Sequence, residues 1–266
     1  MPAIISGATR VYGIIADPIA HVRTPQALNA LMLANGFDGV MVPMHVAPDA
    51  LAGHLAALRG WCNFGGFIAT VPHKSAMVDL CDVVSERARA IGAANAVRRE
   101  PDGSLVADML DGDGFVAGLR ASSFEPAGLS VYLAGAGGAG NAIAFALADA
   151  GIARLTIHNR TRSRAEDLVE RLARAYPGLA VTIGTDDPTG HDLVVNATSL
   201  GLRPDDPLPL DGSRIDAGMI VAEIIMQPEV TPLLALAQAQ GCRIQPGLPM
   251  LTGQVEAMAR FLGMAS

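Results

Sequence analysis

VYLAGAGGAG, residues Val131 to Gly140, is an apolar run that ends in a glycine turn. Val131, Tyr132, Leu133 and Ala134 suit a buried strand, and 141–150 reads as an Ala-rich helix. Between them stand Gly135, Gly137, Gly138 and Gly140. In the order strand, turn, helix, the spacing G-x-G-x-x-G has a mechanical meaning. The first glycine makes the tight turn and the second lets the backbone approach a pyrophosphate. The third lets helix pack closely on strand, while the helix N-terminus faces negative charge. Glycine-rich turns also arise from packing alone; the two flanks favour dinucleotide binding here.

Downstream, 155–158 predicts the next strand and 162–176 a strongly charged helix. Residues 180–183, 192–196 and 219–225 are strand-like. Thr231-Pro232 opens a helix that ends at Gly241, and 248–263 predicts a last one. Upstream, 10–16, 40–46 and 65–71 predict strands, with Pro72 ending the third. Helices are expected after Thr24-Pro25, with Thr24 as the cap and Gly36 past the end, and at 49–59 and 74–81. Pro101-Asp102-Gly103 between 94–99 and 104–110 signals a hairpin, hence an antiparallel edge. Residues 111–114 read as a hinge and 114–121 as a connecting helix. The expectation is two α/β domains with ligands in a cleft between them.

Composition narrows the function classes. A net charge of −7 with scattered cations argues against a nucleic-acid partner. Cys62, Cys81 and Cys242 are odd in number and far apart, which suits neither a disulfide framework nor zinc; they read as free thiols. No two histidines have metal-ligand spacing, so no metal is expected. The N-terminal stretch lacks a basic segment followed by an apolar core. The most apolar span, 131–148, is broken by glycines and Asn141. A cytoplasmic protein without a membrane partner is expected.

Several residues could carry chemistry. In a dinucleotide fold the strand after the glycine turn usually ends in an acid that binds the ribose hydroxyl. Here it ends in Asn159-Arg160-Thr161, with no acid until Glu166. Arg160 and Arg164 could clamp a 2′-phosphate with Asn159 and Thr161 beside them. The plainer alternative is a solvated basic helix start, although cations there oppose the helix dipole. Lys74 follows a strand and Pro72-His73, and Asp111 sits at the proposed hinge. An alcohol losing hydride must also lose a proton, and a partly desolvated lysine beside an aspartate can take it. By spacing alone a surface ion pair is the better reading of the two, and Lys74 and Asp111 as an acid–base pair the lesser. His21, His73 and His158 read as hydrogen-bonded loop residues.

The chain resembles the shikimate/quinate dehydrogenase family over nearly its whole length. The matching segments are GIIADPIAHVRTP (13–25), TVPHK (70–74), IGAANAV (91–97), LVADMLDG (105–112), LAGAGGAG (133–140), NRTRSRAE (159–166), NATSLG (196–201), QPEVTPLL (227–234) and GLPMLTGQ (247–254). The resemblance implies an N-terminal substrate domain with a mixed, mostly parallel sheet over 1–112, completed by a helix at 247–266. It implies a Rossmann-type NAD(P)-binding domain over 113–246. Lys74 and Asp111 match the family's catalytic pair. Thr70 and Asn95 match residues holding ring hydroxyls, and Gln254 one that closes the pocket. Gly135, Ala136, Gly137, Gly138 and Ala139 match the pyrophosphate turn. Asn159, Arg160, Thr161 and Arg164 match an NADP-selective motif. Ile224 and Gly247 fall where the nicotinamide is flanked, and Thr198 also lines the cofactor.

The departures matter as much. The family's S-x-S that grips a carboxylate reads Val22-Arg23-Thr24, an asparagine is replaced by Ile68, and N-T-D reads Met109-Leu110-Asp111. A tyrosine near the carboxylate is Met226, and His158 is bulkier than the usual residue. The chain stops twelve residues after Gln254, shorter than typical members. The expected function is an NADP-dependent dehydrogenase, with NAD also usable. Its substrate is expected to be a cyclic hydroxy acid: shikimate, quinate, aminoshikimate or a less polar analogue. A non-catalytic NAD(P) sensor is the alternative, although a sensor needs neither Lys74 nor Asp111. A homodimer is compatible with this reading.

Overall fold

Apolar runs at 10–16 and 64–69 form strands whose interiors are buried on both faces, as a parallel sheet requires; the run at 39–45 forms a more exposed neighbour. The structure is a computed structural model and describes residues 5–264. It divides the chain into two units: the residues up to Leu110 together with those from Gln254 on, and the residues 111–253.

The first unit runs β1 (Arg10–Ala16), α1 (Thr24–Ala34), β2 (Gly39–His45), α2 (Leu51–Arg59), β3 (Phe64–Ala69), α3 (Met77–Leu80), β4 (Val83–Val84), α4 (Glu86–Ile91), β5 (Ala96–Arg99) and β6 (Leu105–Asp108). Its sheet has the order β2-β1-β3-β5-β6-β4. The β1–β2, β1–β3 and β4–β6 pairs are parallel; β5 is antiparallel to both neighbours. That is the expected mixed sheet, with the hairpin inside it rather than at its edge. Gly103 turns the hairpin at φ +89, a conformation that suits glycine.

The second unit runs α5 (Asp111–Ala121), β7 (Ser130–Ala134), α6 (Gly138–Asp149), β8 (Arg154–His158), α7 (Arg162–Ala175), β9 (Ala180–Ile183), β10 (Leu193–Asn196), β11 (Ile220–Glu223), α8 (Pro232–Ala239), β12 (Arg243–Gln245) and α9 (Leu248–Thr252). Its six strands are all parallel, in the order β12-β11-β10-β7-β8-β9. The order reverses at β7, the strand that carries the glycine turn. Tyr132, Val194, Val221, Leu233 and Leu234 share one buried cluster between the sheet and α8.

The chain then returns to the first unit as α10 (Val255–Phe261). Met258 and Leu262 pack into the same core as Tyr12, Leu28, Met41 and Ile68. The Tyr12 hydroxyl donates to Leu262 O at 3.3 Å, and Arg98 donates to Phe261 O at 3.1 Å.

Several local expectations change. Arg23, not Thr24, is the cap of α1, and Thr24 is its first helical residue, buried. The helix expected at 74–81 shrinks to Met77–Leu80, because residues 70–76 are held in successive turns, His73 N to Thr70 O at 2.7 Å and Ala76 N to His73 O at 3.1 Å. Asp111 is the first residue of α5 rather than a strand end, so the helix expected from 114 begins three residues earlier, where the two units divide. The single helix expected over 248–263 is interrupted at Gly253, where a Cβ would lie 2.6 Å from Gly114 O. The return to the first unit begins at Gln254, so α9 stays with the second.

Candidate active site

In the first unit, topology gathers the polar residues at one end of the sheet. β5 runs against β3, so its N-terminal end lies beside the C-terminal end of β3, with Ile68 opposite Ala96. Asn95, just before β5, therefore meets Ala69 and Thr70, just after β3. Its carbonyl accepts from Ala69 N at 2.7 Å, and Lys74 O accepts from Ala94 N at 3.0 Å. Thr70 N donates to Ile15 O at 3.0 Å, which fixes that loop to β1 as well.

The buried Asn95 side chain is a junction. Its Oδ1 accepts from Leu110 N at 2.8 Å, and its Nδ2 donates to Gln254 Oε1 at 3.3 Å across 159 residues of chain. Asn95 thus anchors the residue before Asp111 and the first residue of the returning segment. Gln254 is itself buried. Because its Oε1 accepts from Asn95, its Nε2 is the end able to donate elsewhere.

Positions of this unit that depart from the family pattern are apolar and buried. Val22, Ala16, Ile68 and Leu110 are buried in one cluster, and Met109 is buried as well. Thr24 is 5% exposed and Lys74 half-buried. His73 is buried, its ring nitrogen on Val46 O at 2.8 Å, a structural role. His21 is half-buried, and burial lowers its pKa.

In the second unit the parallel strands β7, β8, β10, β11 and β12 all point their C-terminal ends to one edge, and each predicted cofactor residue follows one of them. The three glycines of the turn differ sharply in what surrounds them. Gly135 has φ +110, and a Cβ there would lie 2.9 Å from the Ala197 backbone. At Gly140 a Cβ would lie 2.2 Å from Gly135 O, so helix and turn touch backbone to backbone. Gly137 has nothing within 4 Å of its would-be Cβ, and no side chain caps the α6 N-terminus there. Open space over uncapped amides is what a pyrophosphate needs, so these residues fit a dinucleotide.

The adenosine-side residues join this turn. Asn159 Oδ1 accepts from Ala136 N at 3.0 Å, and its Nδ2 donates to Thr161 O at 2.8 Å. Arg160 and Arg164 are exposed and make no ion pair among the described residues, whereas Arg162 between them binds Glu166 at 2.9 Å. Cations left without acids beside the uncapped start of α7 suit a phosphate. His158 stacks on Tyr132, ring centroids 6.4 Å apart.

Thr198, Ile224 and Gly247 lie farther along the same edge. Thr198 Oγ1 donates to Asn196 Oδ1 at 2.7 Å. A Cβ on Gly247 would lie 2.6 Å from Ile224 C and 2.4 Å from Ile225 O, so the 224–225 backbone rests directly on Gly247. Met226 continues that strap, half-buried. Sequence reasoning missed Glu223. It ends β11 fully buried and accepts four hydrogen bonds. Burial outweighs those bonds and pushes its pKa up to about 7.

A family model described as shikimate dehydrogenase substrate binding domain matches residues 14–97, and one described as shikimate / quinate 5-dehydrogenase matches 119–199. The chain is 41% identical over 263 residues to shikimate dehydrogenase (NADP(+)) of Acidiphilium cryptum (strain JF-5), covering 98% of this chain and 93% of that one. Among solved structures it is similar to shikimate 5-dehydrogenase from Thermus thermophilus in complex with NADP(H) and shikimate. That match has 32% identity and a TM-score of 0.84, covering 96% of this chain and 93% of that one. It is also similar to ligand-free 5-ketofructose reductase of Gluconobacter sp. strain CHM43, with 33% identity and a TM-score of 0.81, covering 96% and 92%.

Proposed function

The chain belongs to the shikimate/quinate dehydrogenase family and is an NAD(P)-dependent oxidoreductase acting on CH–OH; from that premise we propose that it interconverts a ring hydroxyl and ketone of a small shikimate-like molecule, with NADP as cofactor. A nicotinamide cofactor held by the glycine turn and by residues 224–226 and Gly247 would supply the hydride exchange. We assign the accompanying proton to Lys74, with Asp111 as the second member of the catalytic pair that the family resemblance implies. Thr70, Asn95 and Gln254 orient the substrate hydroxyls, Gln254 through its Nε2. The observation that carries this reading is the Asn95 junction, which ties the Lys74 loop, the residue before Asp111 and Gln254 into one hydrogen-bonded group. Arg160 and Arg164, without acidic partners among the described residues, support NADP over NAD. Three free cysteines support a reducing, cytoplasmic setting.

A second reading, a polyhydroxy ketone without a carboxylate, is favoured by one feature. Val22, Ile68 and Leu110 belong to one buried apolar cluster, at positions where the resemblance implies polar groups. The similarity to 5-ketofructose reductase points the same way. Absorbance at the reduced-nicotinamide band, with NADP+ against shikimate, quinate and aminoshikimate and NADPH against 5-ketofructose, separates the two. The first reading expects turnover of a cyclic hydroxy acid, the second of the ketone only. Tight NADPH binding with no turnover of any of them would return the sensor alternative. Lys74→Ala should lower kcat on the best substrate at least about 100-fold with cofactor affinity unchanged. A Lys74→Ala enzyme with wild-type kcat removes Lys74 from the chemistry.

A further inference from the structure

Glu223 is not accounted for by the acid–base pair or by the phosphate-facing residues, yet it is fully buried and its carboxyl group accepts four hydrogen bonds. Oε1 accepts from Ile224 N at 2.9 Å and Ile225 N at 3.3 Å. Oε2 accepts from Asn196 Nδ2 at 2.9 Å and Thr231 Oγ1 at 3.1 Å. One carboxyl group thereby joins the end of β10, the cap of α8 and the strap that follows β11. Asn196 in turn holds Thr198, and the neighbouring Ala197 backbone lies against Gly135 of the glycine turn. On its far side the strap rests on Gly247.

We propose that Glu223 is a positioning residue for the nicotinamide end of the cofactor, setting the course of residues 224–226 and tying that strap to the loop beneath the glycine turn. The inference rests on the cofactor reading given above. All four partners are donors, and an ionised carboxylate can satisfy four because it only accepts. A neutral carboxyl must also donate. At Oε1 it faces two backbone N–H groups with no lone pair to receive a proton. At Oε2 only the Thr231 hydroxyl can receive one, and it already accepts from Leu234 N at 3.3 Å. Protonation therefore turns the Thr231 hydroxyl around and weakens the charge-assisted bonds to Ile224 and Ile225. Among the described contacts no charged side chain faces Glu223: β10 presents the Asn196 amide, the cap of α8 the Thr231 hydroxyl, and the strap that follows β11 two N–H groups. The ionised form holds the strap and the neutral form loosens it. Burial brings that change to about pH 7.

The test reads cofactor binding and needs no substrate. NADPH and 2′-phospho-ADP-ribose, which lacks nicotinamide, are titrated into the wild-type protein, Glu223→Gln and Glu223→Asp between about pH 6 and pH 8.5. In the wild type, fluorescence of saturating bound NADPH should pass between two plateaus with a midpoint near pH 7. Glu223→Gln should show no such transition and bind NADPH about 10-fold more weakly. Its affinity for 2′-phospho-ADP-ribose should stay within about twofold, because that ligand does not reach the strap. Glu223→Asp keeps the charge and should keep a transition. Wild-type fluorescence and affinity in Glu223→Gln, or no transition in the wild type, overturns the proposal. If Glu223→Gln does not fold, the wild-type and Glu223→Asp titrations decide it alone. Binding of neither ligand refutes the cofactor reading and this inference with it; binding of 2′-phospho-ADP-ribose with a pH-independent NADPH signal refutes this inference only.

Discussion

Arg160 and Arg164 stand exposed beside the start of α7, with no acidic partner among the described residues. A charge-assisted hydrogen bond contributes about 1.5–3 kcal/mol. Arg160→Ala should therefore raise the Kd for NADPH about 10-fold or more and leave that for NADH nearly unchanged, which calorimetry with both cofactors checks. Val22 carries two constraints at once, since it stands where the resemblance implies a substrate contact and belongs to the core. Val22→Ser should lower KM for shikimate by about 10-fold or more if a carboxylate is bound there. It should also cost about 1–2 kcal/mol in urea unfolding, from lost burial. Unchanged shikimate kinetics in a stable Val22→Ser protein would favour the ketone reading. For Glu223 the sign follows from its raised pKa: the folded state binds the proton more tightly than the unfolded chain. The resulting stability is full below about pH 4.5, the ordinary carboxyl value, and is lost as pH rises through about 7. The loss is on the order of 3 kcal/mol. Thermal unfolding of the wild type should therefore fall more steeply than that of Glu223→Gln between pH 5 and pH 8, a window bracketing the raised value of about 7. The segments that carry Lys74, Asn95 and Gln254 were legible through the family resemblance, and the structure joins Asn95 to Gln254. Glu223 was not, because a glutamate ending an apolar run signals nothing until Asn196 and Thr231 are brought to it.

At the scale of elements, the strand–turn–helix at β7 and α6 separates packing from binding. Gly140→Ala forces a Cβ within 2.2 Å of Gly135 O, a backbone atom that cannot swing away. It should destabilise the second unit by roughly 2–4 kcal/mol and abolish NADPH binding with it. Gly137→Ala meets open space. Its stability should fall by no more than about 1 kcal/mol, the cost of alanine at a helix cap, while NADPH affinity drops about 10-fold or more. Melting curves paired with NADPH titrations check both; equal effects in the two variants would refute the division of labour. Most elements could be read from pattern: β1, β7, β8, β9 and α7 follow apolar runs or strong charge periodicity. The failures are the short pieces. β4 has two residues and β12 three, too few for any period. α4 does carry readable signals, since Ser85 accepts from Ala88 N at 3.1 Å and Gly92 closes it at φ +73, but six residues gave no helical face to see. The break at Gly253 depends on Gly114, far away in the chain, and no local rule contains it.

At the scale of the whole molecule, two α/β units were legible from alternation and the hairpin signal, but the return of the last segment to the first unit came only from the family resemblance. That return is substantial. Tyr12, Met41 and Ile68 share their core with Met258 and Leu262, and the Arg98 guanidinium lies over the Phe261 ring at 5.3 Å. A chain ending at Gly253 should lose the cooperative unfolding of the first unit while residues 111–253 keep their fold and bind NADPH. Limited proteolysis with and without NADPH checks this, and a protease-resistant first unit in the shortened chain would contradict it. The same discontinuity bears on how the protein is made. A domain encoded in one stretch can fold as soon as it leaves the ribosome, and N-terminal domains usually fold first. Here the N-terminal unit emerges first yet lacks its closing helix until the residues after Gln254 appear. At about 5–20 residues per second, that delay is roughly 7–30 s. During it the second unit can fold, while the apolar patch meant for Met258 and Leu262 waits in water. The first part of the protein to be synthesised is the last to be finished, and nascent chains of this protein should need holding by a chaperone through that interval.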